Sequence, residues 1–124
     1  MIALDTSSTI AFLSGDGGSD VSAVESALKF RQAVFPPVVV TELLSDPTIR
    51  TDLVAFIRAV PCLEIVDGYW ERAGALRARL LRGGHKARFA DTLIAQSCLD
   101  HQIALVTRDR DFRNFANYAG LSLQ

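Results

Sequence analysis

Four carboxylates, each at the edge of an apolar run, are the residues of this 124-residue chain best suited to chemistry: Asp5, Glu42, Asp91 and Asp109. No set of His or Cys residues accompanies them, so the candidate ligand atoms are oxygens alone. Oxygen-only sites suit the hard cations Mg²⁺ and Mn²⁺, and Mg²⁺ typically binds through carboxylates together with substrate phosphate. The set therefore predicts a Mg²⁺ or Mn²⁺ site that acts on a phosphate group.

Mutual repulsion gives a physical reason to expect a cation. Two unit charges about 4 Å apart repel by roughly 1 kcal/mol in water and by about 4 kcal/mol at an effective dielectric near 20. Several such pairs in one cleft would consume much of a typical domain stability of roughly 5 to 15 kcal/mol. Uptake of protons or cations would relieve the repulsion, and bound divalent ions would also activate a water molecule and stabilise a leaving oxygen. The predicted chemistry is hydrolysis of a phosphodiester.

Each acid also has a purely structural explanation. Asp5 directly precedes a predicted helix and is a good N-cap, and Asp91 lies in a first helical turn, where the macrodipole favours a negative charge. Glu42 fits the solvated margin of a buried helix face. Asp109 and Asp111 are typical turn residues after a strand. Only the convergence of the acids in one cleft would favour the chemical explanation over these.

Strand-like and helical segments alternate along the chain. Strands are predicted at about residues 1–4, 34–35, 62–66 and 103–106, with an edge strand at 121–123. Helices are predicted at about residues 6–13, 19–32, 38–45, 48–60, 69–81, 90–100 and 110–118. Parallel strands joined by helices require right-handed crossovers and a sheet covered on both faces. The predicted class is α/β, with three α/β/α layers around a central parallel sheet of four to five strands.

In such sheets, ligands gather beyond the carboxyl ends of the strands. Asp5 and Asp109 fall at two of those ends. The alternation therefore predicts that these two carboxylates lie close together.

Length and composition limit what else the chain can be. Residues 1–124 are enough for one core and are predicted to be a single domain. No apolar run reaches the roughly 18 residues of a spanning helix, and Asp5 interrupts the opening run, so we expect no membrane segment or signal peptide and a cytoplasmic location. Cys62 and Cys98 lie in apolar stretches without metal-ligand spacing and are predicted to be buried thiols.

Basic residues are concentrated in the second half of the chain. Residues 1–68 hold four basic and nine acidic side chains, a balance of −5, whereas residues 69–124 hold nine basic and five acidic, a balance of +4. Neutralising phosphates releases counterions, so a basic segment leading to Asp91 would bind an RNA backbone without reading its bases. A solvated helix face explains the pattern equally well. The RNA-binding candidates are Arg82, Lys86, Arg88, Arg108 and Arg110.

Three motifs occur in a specific order: LDTS at residues 4–7, ADTLIAQSCLDHQIAL at residues 90–105 and VTRDRDF at residues 106–112. Together they resemble PIN-domain nucleases, most closely the small VapC-like toxins of bacterial toxin–antitoxin pairs, over nearly the whole chain. The resemblance implies a metal-dependent endoribonuclease that is the toxin of a type II pair. It also implies an RNA substrate, an antitoxin protein that blocks the site, and a homodimer.

The resemblance assigns roles to the acids. It implies that the catalytic set is Asp5, Glu42, Asp91 and Asp109, with Asp111 as a candidate fifth acid. The implied ligands of Mg²⁺ or Mn²⁺ are Asp5, Asp91 and Asp109, whereas Glu42 would bind through water or activate the attacking water. Some family members carry Asn at the position of Asp109 and an acid two residues later. The division of labour between Asp109 and Asp111 therefore stays open.

The resemblance also bears on the residues around the acids. Val38 to Val40 favour an extended conformation by propensity, but the family implies a helix at about residues 38–45 that projects Glu42. Thr6 and Thr107 are candidate positioning residues because their hydroxyls would hold a ligand or phosphate, and both would equally serve as hydrogen-bonding residues at strand ends. The five aromatic residues nearest the motifs are expected to be packing residues: Tyr69, Trp70, Phe89, Phe112 and Phe115.

Two other classes of function compete with this one. A non-catalytic PIN-like module that binds RNA or a protein would share the fold, but it would have little use for so many mutually repelling acids. A haloacid-dehalogenase-like phosphatase would carry a second Asp two residues after Asp5, where this chain has Ser7. A requirement for metal in RNA cleavage would discriminate all three.

Overall fold

The computed structural model describes all residues, 1–124. Three short parallel strands form the sheet in the order β2-β1-β3. They are β1 (Ile2–Leu4), β2 (Ala33–Val34) and β3 (Leu105–Val106). Ala3 of the central strand pairs with Val34 on one side and with Leu105 on the other. Since both neighbours are parallel to β1, the carboxyl ends of all three strands lie at one edge.

Seven helices connect and cover these strands. They are α1 (Thr6–Leu13), α2 (Ser19–Lys29), α3 (Pro37–Leu44), α4 (Thr51–Ala59), α5 (Tyr69–Arg82), α6 (Phe89–His101) and α7 (Arg113–Ala119). A short 3₁₀ helix, Arg110–Phe112, precedes α7. The predicted α/β class with a central parallel sheet is confirmed, and each predicted helix is present, some with shifted ends. None of the helices is both long and apolar enough to cross a bilayer.

The sheet has fewer strands than the four to five predicted. The segment at 62–66 and the segment at 121–123 each touch the sheet through one residue, in the bridges Phe35–Cys62 and Leu105–Leu123. The last backbone hydrogen bond from the 62–66 segment to the sheet edge is from the Leu63 N–H to the Phe35 carbonyl at 2.9 Å, and Ile65 and Val66 are exposed. Apolar residues in both segments favoured strands there, but each segment runs beside the sheet for too short a distance to form a ladder.

Helix α3 settles the local conflict at the valines. It starts at Pro37, where the missing N–H of proline costs nothing because the first helical turn has no intrahelical acceptor for it. Val39 is completely buried, and Val38 and Val40 pack against the same core. Burying an aliphatic side chain contributes roughly 1.5 to 3 kcal/mol, which outweighs the weaker β preference of valine.

The core is one cluster of 21 buried residues around the sheet. Tyr69, Phe112 and Phe115 are buried as predicted, but Trp70 is 62% exposed and Phe89 is 66% exposed. Helix α5 turns Tyr69 inward, and one residue later the chain has rotated by about 100°, so Trp70 lies on the outer face. The prediction that Trp70 and Phe89 are packing residues is therefore wrong.

The two cysteines also differ. Cys98 is buried in α6, and this burial raises the pKa of its thiol to about 12. Cys62 is exposed because only its backbone reaches the sheet edge. The prediction of a buried thiol is confirmed for Cys98 and wrong for Cys62.

Candidate active site

The register of the sheet brings the first acid to a second chain segment. Leu4 pairs with Val106, so Asp5 and Thr107 leave the sheet side by side at its carboxyl edge. The Thr107 hydroxyl donates to Asp5 Oδ2 at 2.7 Å, and the backbone N–H of Asp5 donates to the Val106 carbonyl at 2.9 Å. Residues about one hundred positions apart are thereby held within hydrogen-bond distance.

Asp5 is buried, with 4% of its surface exposed. It occupies the N-cap position of α1, but its carboxylate makes no capping hydrogen bond. Oδ2 instead accepts the hydroxyls of Ser7 and Thr107, each at 2.7 Å. The capping explanation for Asp5 therefore does not describe its side chain, which is oriented by two hydroxyls toward the cleft.

Asp91 lies in the first turn of α6 and is 9% exposed. Burial raises the pKa of its carboxyl, and the nearby charges of Asp109 and Asp5 act in the same direction, while Arg88 opposes them. The helix macrodipole alone does not explain an acid in this position, since the net effect of the surroundings disfavours its charge. A cation in the cleft would relieve that strain.

Asp109 and Asp111 are positioned by the 3₁₀ helix that follows β3. The Asp109 carboxylate caps this helix by accepting the Asp111 N–H at 2.9 Å, and the Asp109 N–H donates to the Thr107 hydroxyl oxygen at 3.0 Å. Asp91, Asp109 and Asp111 each have a carboxylate oxygen within 4.8 Å of the others. This all-oxygen set fits a hard divalent cation, which is bound in proteins by carboxylates and water.

Glu42 is the most exposed member of the predicted set. It projects from α3, and the Thr6 hydroxyl donates to its Oε1 at 2.7 Å. It lines a cleft of about 300 Å³ together with Asp5, Asp91 and Asp109. The four predicted acids are thus brought to one cleft, and Asp111 lies beside it next to Asp109.

One arginine crosses the acidic cluster. Arg88 Nε donates to Asp91 Oδ2 at 2.9 Å, and Arg88 Nη2 lies 2.6 Å from Asp109 Oδ2 and 2.9 Å from Asp111 Oδ2. Lys86 Nζ lies 3.0 Å from Asp111 Oδ2 and lowers the pKa of that carboxyl. Two of the residues predicted to bind RNA therefore pair with the acids.

The sequence profile of the PIN domain family matches residues 2–118. The chain belongs to the PIN domain family. PIN domains are in general nucleases, which supports the hydrolase class and sets aside the dehalogenase-like alternative. Among curated proteins, none matches the chain.

Solved structures share the fold of this PIN domain. A toxin–antitoxin complex from Klebsiella pneumoniae has a chain with TM-score 0.71 and 20% identity, with 98% of this chain and 95% of that chain covered. A chain of VapBC2 from Rickettsia felis, bound to a DNA fragment from its promoter, has a TM-score of 0.75 and 21% identity, with 100% of this chain and 98% of that chain covered. A chain of VapBC-1 from nontypeable Haemophilus influenzae has a TM-score of 0.75 and 19% identity, with 100% of this chain and 97% of that chain covered. At this identity the likeness establishes the fold.

The other predicted RNA-binding residues of the PIN domain fall into two groups. Arg108 is engaged away from the cleft, where its Nε donates to Asp20 Oδ2 at 2.8 Å and its Nη2 to Asp20 Oδ1 at 3.1 Å. Arg82 and Arg110 are exposed and take part in no ion pair. These two are the predicted residues whose charges are free to meet a polyanion.

Ser7 is a site residue that sequence reasoning did not select. Its hydroxyl donates to Asp5 Oδ2, lies 3.4 Å from the Thr107 hydroxyl and accepts the Arg108 N–H at 3.4 Å. The available signal was its spacing, because a residue two positions after a helix N-cap can turn back toward it. Serine is common in such turns, so the spacing alone was too weak to single it out.

Proposed function

We propose that this PIN domain, which we take to span residues 1–124, is a Mg²⁺- or Mn²⁺-dependent endoribonuclease that hydrolyses RNA phosphodiester bonds. The observation that carries the proposal is the convergence of Asp5, Glu42, Asp91 and Asp109 on one cleft. A pure binding module would gain nothing from this arrangement, since close carboxylates repel one another. The alternative of a non-catalytic PIN-like module therefore has no observation in its favour.

The residues that would hold a divalent ion are Asp5, Asp91 and Asp109. Asp111, at the edge of the cleft, is a further candidate acid. Asp91 and Asp109 offer oxygens within 4.8 Å of each other and of Asp111, which suits one ion. When bound, such an ion supplies Lewis-acid stabilisation of the charge that develops on the phosphate oxygens.

Glu42 is the proposed proton acceptor. Its exposure lets water approach, and the hydrogen bond from Thr6 to Oε1 orients the carboxylate toward the cleft. A general base must lie within hydrogen-bond reach of the proton that it takes, so an oriented but open carboxylate suits the role. Thr6 is then a positioning residue for Glu42.

Thr107 and Ser7 are proposed to position Asp5. Both hydroxyls donate to the same oxygen, Oδ2, and so leave the other oxygen of the carboxylate free to face a ligand. Hydrogen-bonded partners of this kind fix the orientation of a ligand and raise metal affinity. Thr107 also accepts the N–H of Asp109, so one side chain sets the spacing of two acids.

The biological role that we propose is the toxin of a type II toxin–antitoxin pair, active on RNA in the cytoplasm. The toxin–antitoxin complexes that share its fold support an antitoxin partner. The homodimer that the family resemblance implies is part of the same proposal. An apolar groove of about 360 Å³ adjoins the cleft and shares Glu42 with it. Its walls include Leu13, Leu43, Ile49 and Leu53, which would suit an apolar antitoxin segment placed to block the acids.

Incubation of the purified protein with a pool of structured RNAs tests the proposal. Parallel reactions contain Mg²⁺, Mn²⁺ or chelator, and the cut ends are mapped. We expect discrete cleavage with either ion and none with chelator. Cleavage that persists under chelation would contradict the metal requirement, and RNA binding without cleavage in both ions would favour the non-catalytic module.

A further inference from the structure

Arg88 makes contacts that a substrate-binding residue would not need. Its side chain is 49% exposed, yet the guanidinium reaches Asp91, Asp109 and Asp111 at 2.6 to 2.9 Å. These are the same three residues whose oxygens converge within 4.8 Å. The guanidinium therefore lies against the same three carboxylates that a divalent ion would use.

The backbone holds Arg88 in this place. It precedes α6 directly, and its carbonyl accepts both the N–H of Thr92 at 3.0 Å and the Thr92 hydroxyl at 2.8 Å. Asp91 is three residues away on the first helical turn, so the guanidinium cannot diffuse away from the acids. A tethered group acts at a high effective concentration and competes with free ligands even when each contact is weak.

The electrostatics of the cluster also oppose a second cation. A guanidinium carries a permanent positive charge, and here all three of its carboxylate contacts are made to Oδ2 atoms. A divalent ion that coordinates those atoms must displace the hydrogen bonds or share the oxygens with a like charge. Either route weakens ion binding relative to a cluster without the arginine.

We propose that Arg88 is a tethered cation that competes with the divalent ion for Asp91, Asp109 and Asp111 and so lowers the affinity of the site for metal. The inference rests on the metal site of the proposed function. Arg88 is a regulating residue here, not a catalytic one. The opposite possibility is that Arg88 preorganises the three acids for the ion, in which case its removal weakens metal binding.

Mn²⁺ titration of the 124-residue protein distinguishes the two, with free Mn²⁺ measured by electron paramagnetic resonance and no RNA present. We expect Arg88→Met to bind Mn²⁺ roughly tenfold more tightly than the parent, which corresponds to about 1.4 kcal/mol. Arg88→Lys keeps the positive charge but loses the planar guanidinium with its several N–H donors. Its Mn²⁺ affinity should therefore stay closer to that of the parent. The matched control, Arg108→Met, removes an arginine that pairs with Asp20 outside the cluster and should leave Mn²⁺ affinity within about twofold.

Unchanged or weaker Mn²⁺ binding by Arg88→Met would overturn the inference while leaving the metal site intact. Absence of Mn²⁺ binding by all variants and by the parent would remove the metal site, and the proposed function would fail together with the inference.

A measurement on the parent protein covers the case in which Arg88→Met does not fold. The Arg88 Nε–H, which donates to Asp91 Oδ2, should give a protected NMR signal that is lost as Mg²⁺ is added. A signal that stays protected at Mg²⁺ concentrations that saturate the Asp91 and Asp109 shifts would contradict displacement.

Discussion

Two arginines of this PIN domain meet carboxylates in different ways. Arg108 forms a two-pronged pair with Asp20, which also accepts the Ser8 hydroxyl at 2.8 Å, and its Nη1 lies 4.0 Å from Asp16 Oδ2. Arg88 contacts three acids: its Nε pairs with Asp91, and its Nη2 is shared between Asp109 and Asp111. Arg108 joins α2 to the segment after β3, whereas Arg88 lies on the cleft.

The pKa shifts of the paired acids differ between the two regions. The hydrogen bonds from Arg108 lower the pKa of Asp20 to about 2, so its charge is fully supported by the fold. Asp91 also touches an arginine, yet burial raises the pKa of its carboxyl. A balanced pair stabilises the structure, while an under-neutralised cluster retains the capacity to bind another cation.

The largest effect that tests this comparison is the loss of activity expected when a cleft acid is removed. We expect Asp91→Asn to lower RNA cleavage on the order of 100-fold or more, because a proposed metal ligand is lost. The measurement is the single-turnover cleavage rate in Mg²⁺, with circular dichroism as the check on folding. A folded Asp91→Asn protein that cleaves at the parental rate would refute the assignment of Asp91.

Removing the acid of the Arg108–Asp20 pair should change the stability of the fold and not the metal affinity. Asp20→Asn leaves Arg108 without its carboxylate, and we expect a loss of about 1.5 to 3 kcal/mol at pH 7, as for hydrogen bonds to charged groups. Urea unfolding measures the loss. Metal affinity should be unchanged in this variant, and a reduced affinity would show that the two regions are not independent.

The same pair predicts a dependence on pH. The folded pKa of Asp20, about 2, lies below the ordinary value of 3.8, so its contribution is complete above the ordinary value and is lost as pH falls toward 2. The stability of the parent should therefore decrease between about pH 4 and pH 2 more steeply than that of Asp20→Asn. Parallel curves for the two proteins would contradict the contribution assigned to this pair.

The pH dependence of stability that Asp91 contributes should have the opposite sign and a smaller size. Its raised pKa means that the folded state binds the proton more tightly than the unfolded state. Stability therefore falls as pH rises from the ordinary value of 3.8 to the folded pKa, and the loss is complete above the folded pKa. We expect Asp91→Asn to equal or exceed the parent in stability by up to about 1 kcal/mol at pH 7 without metal. At pH 3 the advantage should vanish. A clear loss of stability at pH 7 would mean that Arg88 neutralises Asp91 well.

The smallest effect concerns the unpaired cations. Arg82→Ala should weaken binding of single-stranded RNA by about two- to threefold and reduce the slope of log K against log salt concentration by about 0.7. Arg58→Ala, an exposed arginine on α4 in the acidic half of the chain, is the matched control. Equal changes in both variants would remove Arg82 from the RNA path.

Much of the fold follows from local patterns. The predicted helix at residues 69–81 is present as α5, which spans Tyr69–Arg82. The segments at 62–66 and 121–123 were over-predicted because composition reports a preference for strand but not whether a neighbouring strand runs alongside. Exposure of Trp70 and Phe89 was missed for a similar reason, since adjacent residues of one helix point to different faces.

The acids of the cleft were predictable, whereas their partners were not. Asp5 and Asp109 stand at strand ends, and parallel strands bring their ends to one edge, so their proximity follows from the order of elements. Arg88, Lys86 and Arg108 look alike in sequence, as basic residues near acids. Their separate pairing with the cluster or with Asp20 depends on side-chain reach across elements that are far apart in the chain.

The sequence by itself determined the alternation of strands and helices, the oxygen-only character of the site and the order of its acids, because these depend on local periodicity and on residue type. Only the tertiary structure decided that Thr107 and Ser7 hold Asp5 and that one arginine spans three acids. The physical reason is that hydrogen bonds and ion pairs act over about 3 Å, a distance that chain folding sets and residue order does not encode.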